Sequence, residues 1–147
     1  MSDEPAWECE RSVEADVPVA FAWGYMTDVR NWCDPPAEFS IEGPFAAGSR
    51  GTTRMPGHPP SHWRIQAVEP CSTYTLEGGG FLDGALMRFH WRFDALPGSR
   101  TRISQRIELL GENAAAYVTT ISESFGVNLE PGLRRIAGQM ERAAARG

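Results

Sequence analysis

Two stretches near the middle of the chain restrict its fold more than anything else in the sequence. Met87, Phe89, Trp91 and Phe93 alternate with Arg88, His90, Arg92 and Asp94. After Pro97-Gly98-Ser99, Ile103, Gln105, Ile107 and Leu109 alternate with Arg102, Ser104, Arg106 and Glu108. Successive side chains of a strand point to opposite faces, so each stretch reads as a strand with one apolar and one charged side. The turn between them makes the pair an antiparallel hairpin with water on one face only. Its apolar face must be covered by another part of the chain.

The C-terminal segment supplies that cover. Tyr117, Ile121, Phe125, Leu129, Leu133, Ile136, Met140 and Ala144 recur at steps of three or four, the spacing of one helix face. Asn113 is placed to cap this helix. Pro131 interrupts the pattern and costs about 3 kcal/mol in a regular helix interior, so the helix is expected either to kink near Val127 or to restart at Pro131, and the unbroken phase of the stripe favours the kink.

The remaining segments complete a sheet. Trp7, Cys9 and Val13 alternate with Glu8, Glu10, Ser12 and Glu14 as a half-buried strand, with Arg11 the odd member on the apolar side. Asp16 then reads as an N-cap ahead of Pro18, with Val19, Ala22, Trp23 and Met26 at helical spacing. Asp28 caps a second short helix through Val29 and Trp32, stopped by Asp34-Pro35-Pro36. Strands follow at Phe39 and Ile41, from Gly48 to Met55, at Trp63, Ile65 and Ala67, and at Tyr74 and Leu76, before the connector Gly78-Gly79-Gly80. The loop Pro56-Gly57-His58-Pro59-Pro60 is rigid. The expected order is strand, two short helices, six strands and one long helix: an α+β fold in which a curved seven-stranded antiparallel sheet is crossed on its concave face by the C-terminal helix.

Composition narrows the function class. The 147 residues carry a formal charge of −5, which argues against nucleic acid or an anionic membrane surface as partner. This length predicts one domain with its core at about 7–145 and a flexible start over 1–6. Cys9, Cys33 and Cys71 form no CxxC spacing, so free buried thiols are expected rather than a disulfide framework or zinc site. The acidic N-terminus lacks the pattern of a secretory signal, and no run reaches the ~18 apolar residues of a membrane span. A cytoplasmic protein, monomeric or homodimeric and without cofactor or metal, is expected.

Ala15-Asp16-Val17-Pro18 leading to Trp23-Gly24-Tyr25-Met26-Thr27-Asp28 and Asn31-Trp32 carries a resemblance to a known family. So do Gly43-Pro44-Phe45 with Gly48-Ser49-Arg50-Gly51, Val68-Glu69-Pro70, and Arg100-Thr101-Arg102. Over about residues 8–145 the chain resembles the START-like (SRPBCC, helix-grip) superfamily, which includes birch-pollen-allergen-like proteins and the polyketide cyclase/dehydrase group. The resemblance implies a cavity between sheet and long helix that takes a lipid, hormone, polyketide or flavonoid. These marks are architectural and none is catalytic, so the activity stays open.

Candidate site residues follow from the inward faces. Trp23, Trp32, Phe39, Trp63, Tyr74, Met87, Phe89, Trp91, Gln105, Tyr117, Ile121 and Phe125 are expected to line the cavity. A buried Gln105 amide needs a partner, either a ligand or a neighbouring group; the Tyr74 and Tyr117 hydroxyls either orient a ligand or cap a backbone carbonyl. Arg11 meets an acidic group inside or is turned to solvent by a bulge. His58 and His62 lie four apart, but Pro59 and Pro60 exclude the helix on which that spacing would hold a metal; His90 is expected to be solvated. No catalytic residue is assigned. The expected function is binding of a small hydrophobic or aromatic molecule, lipid or polyketide-like. The alternatives are a cyclase/aromatase- or dehydratase-like enzyme using the same cavity, or a regulatory module that binds another protein.

Overall fold

The computed structural model describes residues 4–32, 36–79 and 82–146. Its strands are β1 (Trp7–Ala15), β2 (Glu38–Ile41), β3 (Arg50–Arg54), β4 (Ser61–Glu69), β5 (Thr73–Gly78), β6 (Leu86–Leu96) and β7 (Arg100–Leu110). They form one seven-stranded sheet in the order β1-β7-β6-β5-β4-β3-β2, with antiparallel neighbours throughout. The first strand therefore pairs with the last, and the two long strands read from the alternation, β6 and β7, lie beside each other near that edge. Helix α1 (Val19–Met26) and a 3-10 turn (Val29–Asn31) connect β1 to β2.

The long C-terminal cover is built from several pieces. A 3-10 turn (Ala114–Tyr117) leads to α2 (Val118–Ile121), a π turn (Ser122–Gly126) and then α3 (Val127–Arg146). The π turn ends where α3 begins, at Val127, the place where a kink is expected. Pro131 lies inside α3, five residues after the end of that turn, so the break in regular α geometry comes about one turn before the proline. Leu129, Leu133, Ala137 and Met140 are buried, so the apolar stripe faces the sheet across its concave side.

Capping differs from the sequence pattern at two of three places. Asp16 does not cap α1; Pro18 precedes that helix in extended backbone with no side-chain cap. The Asp16 N–H instead donates to a Glu141 carboxylate oxygen at 2.8 Å, tying the end of β1 to α3. Asn113 makes no capping bond either, and its Nδ2 donates to the Asp83 carbonyl at 3.2 Å. Asp28 does cap its 3-10 turn, accepting from the Arg30 N–H at 3.1 Å and from its guanidinium at 2.9 and 2.7 Å. That guanidinium bond holds the Asp28 carboxyl below its usual range.

Strand β4 also departs from simple alternation. Its pairing with β5 slips between Ile65 and Ala67, so Gln66 and Ala67 are both exposed and Val68 takes the next inward place opposite Tyr74. The thiols are less hidden than expected: Cys9 is half-buried, and Cys71 is exposed in a turn at φ 59. Cys33, Asp34, Pro35 and Gly80 lie outside the described residues. Among the described residues no helix is long and apolar enough to cross a membrane.

Thr101 shows how the sheet is joined to the helices. It is fully buried, and its hydroxyl donates to the Val17 carbonyl at 2.8 Å. The start of β7 is thereby fixed to the strand-to-helix corner before α1, inside the same core as Ala15, Val17 and Met140.

Candidate functional site

Residues directly opposite each other on antiparallel strands share a face, so the pairing register lays out the concave side row by row. One row runs Trp7, Leu109, Met87, Gly78, Trp63, Gly51 and Ile41. A second runs Cys9, Ile107, Phe89, Leu76 and Ile65. The third holds Arg11, Gln105, Trp91, Tyr74 and Val68. The expected inward residues of the strands are thus brought to one face.

Large rings fill much of that face. Trp32 meets Phe39, Phe45 and Trp63 with ring centres 5.7, 6.3 and 5.3 Å apart, and its indole N–H donates to the Met26 carbonyl at 2.8 Å. Tyr74 sits among Trp23, Phe45, Trp91 and Phe93 at 5.9, 5.0, 5.8 and 5.9 Å. Phe89 and Phe125 meet across sheet and π turn at 5.9 Å, and Ile121 is buried above the same face. Phe45 and Phe93 were not among the sequence candidates. Phe93 lay in the alternating run, whereas nothing local in Gly43-Pro44-Phe45 signals that its ring reaches Tyr74.

Trp63 fits only because glycine flanks it in the row. A Cβ on Gly51 would lie 2.1–2.3 Å from three carbons of the Trp63 indole. Replacing Gly51 with alanine is expected to lower stability by about 1–3 kcal/mol, because the indole must leave Thr53, to which its N–H donates at 3.1 Å. Urea denaturation checks this, and an unchanged midpoint would show the indole to be free to move.

The polar candidates separate into used and unused groups. Tyr117 is used: its hydroxyl accepts from the Asp83 N–H at 3.0 Å and donates to the Asp83 carbonyl at 3.3 Å. His62 Nδ1 lies 3.3 Å from the Thr52 hydroxyl, and His58 is exposed in a turn. Among the described residues no three His, Cys, Asp or Glu side chains converge as metal ligands. His90 is not simply solvated. It joins Thr75 at 3.1 Å and the Glu108 carboxylate on the outer face, where Glu108 also holds Arg106.

Tyr74 is the exception. It is 1% exposed, and its hydroxyl has no hydrogen-bond partner among the described residues. Burial pushes the phenol well above its ordinary pKa, so the group stays an O–H donor. Among the described residues, Arg11 and Gln105 are the other polar side chains of the row bonded to no side chain. Arg11 donates to the neighbouring Glu10 carbonyl at 2.7 Å. The register has no bulge there, so Arg11 faces the helix side and is exposed because β1 is an edge strand.

Two open grooves mark the surface of the described residues. One of about 480 Å³ lies on β3 and β4 between Arg50, Thr52, His62, Trp63 and Arg64. The other, about 470 Å³, lies between Arg11 and Gly126, Val127, Glu130, Pro131 and Arg134. Of the expected lining residues, Trp63 alone borders either groove.

Solved structures with this architecture include Ara h 8.0201, with a TM-score of 0.70 at 15% identity, covering 96% of this chain and 99% of that one. A point mutant of norcoclaurine synthase from Thalictrum flavum superposes with a TM-score of 0.73 at 14% identity, over 94% and 96% of the two chains. The Zhui aromatase/cyclase from Streptomyces sp. R1128 gives 0.70 at 16% identity, over 94% and 95%. At such identities the likeness is one of fold, the helix-grip arrangement. No curated protein matches the chain in sequence. The model of one family does match, over residues 6–141, and by that match the chain belongs to the family described as polyketide cyclase / dehydrase and lipid transport.

Proposed function

We propose that this protein binds a small, largely apolar, ring-bearing molecule between its sheet and its long helix. The observation that carries the reading is the buried Tyr74 hydroxyl, without a partner among the described residues. Leaving such a donor unmade costs about 1–3 kcal/mol, and a core with no other task is better served by phenylalanine there. A ligand oxygen among Trp23, Phe45, Trp91 and Phe93 would accept the bond and gain ring contacts. Family membership supports the same reading.

A cyclase- or dehydratase-like activity is the second reading, favoured by the family description and by the aromatase/cyclase among the similar folds. Tyr74 would then serve as a proton donor. Acid–base chemistry commonly needs a second ionisable group beside the first. The rings around Tyr74 supply none, so binding stands ahead of turnover.

A ligand of ~20 heavy atoms at about −0.3 kcal/mol each reaches a Kd of tens of micromolar. At a hundredfold excess over Kd it stabilises the fold by about 2.7 kcal/mol. A thermal-shift screen of aromatic polyketides, flavonoids and fatty acids, with native mass spectrometry, is expected to find a compound that raises Tm by roughly 5–10 °C. If no compound binds or shifts the transition, the reading is wrong and the apolar face is a closed core.

A further inference from the structure

The concave row through Tyr74 differs from its outer counterparts on the same strands. On the outer face polar groups satisfy one another: Arg64 and Arg88 share Glu77, while His90 and Arg106 share Glu108. On the inner row Arg11, Gln105 and Tyr74 are lateral neighbours across β1, β7, β6 and β5, with the Trp91 ring between the last two. None of the three side chains is bonded to another side chain among the described residues. Their exposure is graded: Tyr74 is buried, Gln105 half-buried, and Arg11 open to the groove beside α3. Glu130, the acid facing that groove, is already held by Arg134 at 2.6 Å.

We propose that this row is a subsite for an elongated aromatic acid. Its ring system lies against Trp91, a neutral acceptor oxygen takes the Tyr74 proton, and its carboxylate lies at the open end beside Arg11. The inference rests on the binding reading above and names the ligand class. Polarity fixes the orientation. Among the described residues the surroundings of Tyr74 are aromatic rings without a cation, so a carboxylate there would be buried unpaired at high cost, whereas a ketone or ether oxygen matches a single O–H donor. The guanidinium at the edge suits an anion that keeps part of its hydration. Gln105 lies between them and can both donate and accept. Length is of the same scale: three interstrand spacings separate the Arg11 and Tyr74 backbones by about 14 Å, comparable with a bicyclic ring substituted at both ends.

Three probes of one shape test this. These are 6-acetyl-2-naphthoic acid, its isopropenyl analogue without the carbonyl oxygen, and 2-acetyl-6-methylnaphthalene without the carboxylate. Binding is followed by tryptophan fluorescence in the wild type, Tyr74→Phe and Arg11→Met. Tyr74→Phe is expected to weaken both acetyl compounds about tenfold and spare the isopropenyl acid. Arg11→Met is expected to weaken both acids about fivefold and spare the neutral ketone. Losses shared equally by all three probes, or absent from all, overturn the assignment. Failure of every probe on the wild type also overturns it, while a hit elsewhere in the wider screen would leave the binding reading standing.

Discussion

Replacing Gly111 with alanine is expected to lower the unfolding free energy by about 3 kcal/mol or more, and Tm by roughly 6–12 °C. Gly111 follows the end of β7, where the chain leaves the sheet for the C-terminal helix, at φ 116, a conformation L side chains rarely adopt. A Cβ there would also lie 2.6 Å from the Gly84 carbonyl oxygen and 2.8 Å from the Ala85 Cα. These are backbone atoms of the loop before β6, held by the Asn113 N–H, which donates to that same carbonyl at 2.9 Å. No rotamer change relieves the contact. Gly98→Ala is the control, since Gly98 has φ 79 but nothing within 4 Å of its Cβ position. It should cost only the backbone term, about 1–2 kcal/mol. Equal losses for the two variants, measured by urea denaturation, would mean that the β6 loop yields and does not clamp the helix start.

The reason Gly111 had no place in the sequence reading is general to this chain. Period-two alternation shows which residues of one strand share a face, so β6, β7 and the stripe of α3 were legible from 87–109 and 117–144. It does not show which strand lies beside which, nor at what offset. Of the neighbours of Trp63, Gly51 reads as an ordinary strand residue and Gly78 as part of a connector, because the space an indole needs is visible only once register is known. The β4 slip is hidden for the same reason: Gln66 and Ala67 offer no turn chemistry, and only the pairing with β5 reveals it. Local chemistry also misled where a distant partner competed. Asp16 and Asn113 have cap-forming side chains, but Asp16 is fixed to Glu141 through its N–H and Asn113 is drawn to Asp83. At the site, the individual residues Tyr74, Gln105 and Arg11 could be singled out as polar interruptions of apolar rows. That they stand side by side, and that Tyr117 is spent on Asp83 while Tyr74 has no partner among the described residues, required the fold.

Leu133→Ala should cost about 3 kcal/mol, within the range for emptying a tightly packed leucine site. Leu133 is 1% exposed in the middle of the buried stripe Leu129, Leu133, Ala137 and Met140, on the helix that spans the concave face. That helix has a proline near its start and a π turn before it, so its own hydrogen bonding is not what holds it in place. Burial of the stripe must supply most of the attachment, at about 25 cal/mol per Å² of apolar surface. Val127→Ala on the same helix is the internal comparison: Val127 is 65% exposed and its truncation should change stability by less than about 0.5 kcal/mol. A further readout comes from the hollow that Leu133→Ala opens toward the sheet. An apolar void left by a leucine stays dry and accepts very small apolar molecules, so benzene should restore part of the lost stability in this variant and none in Val127→Ala. If Leu133→Ala falls no further than Val127→Ala, the helix is held by something other than its apolar stripe. The concave side would then have to be regarded as loosely covered, and any ligand would gain its affinity from ordering the helix rather than from entering a formed site.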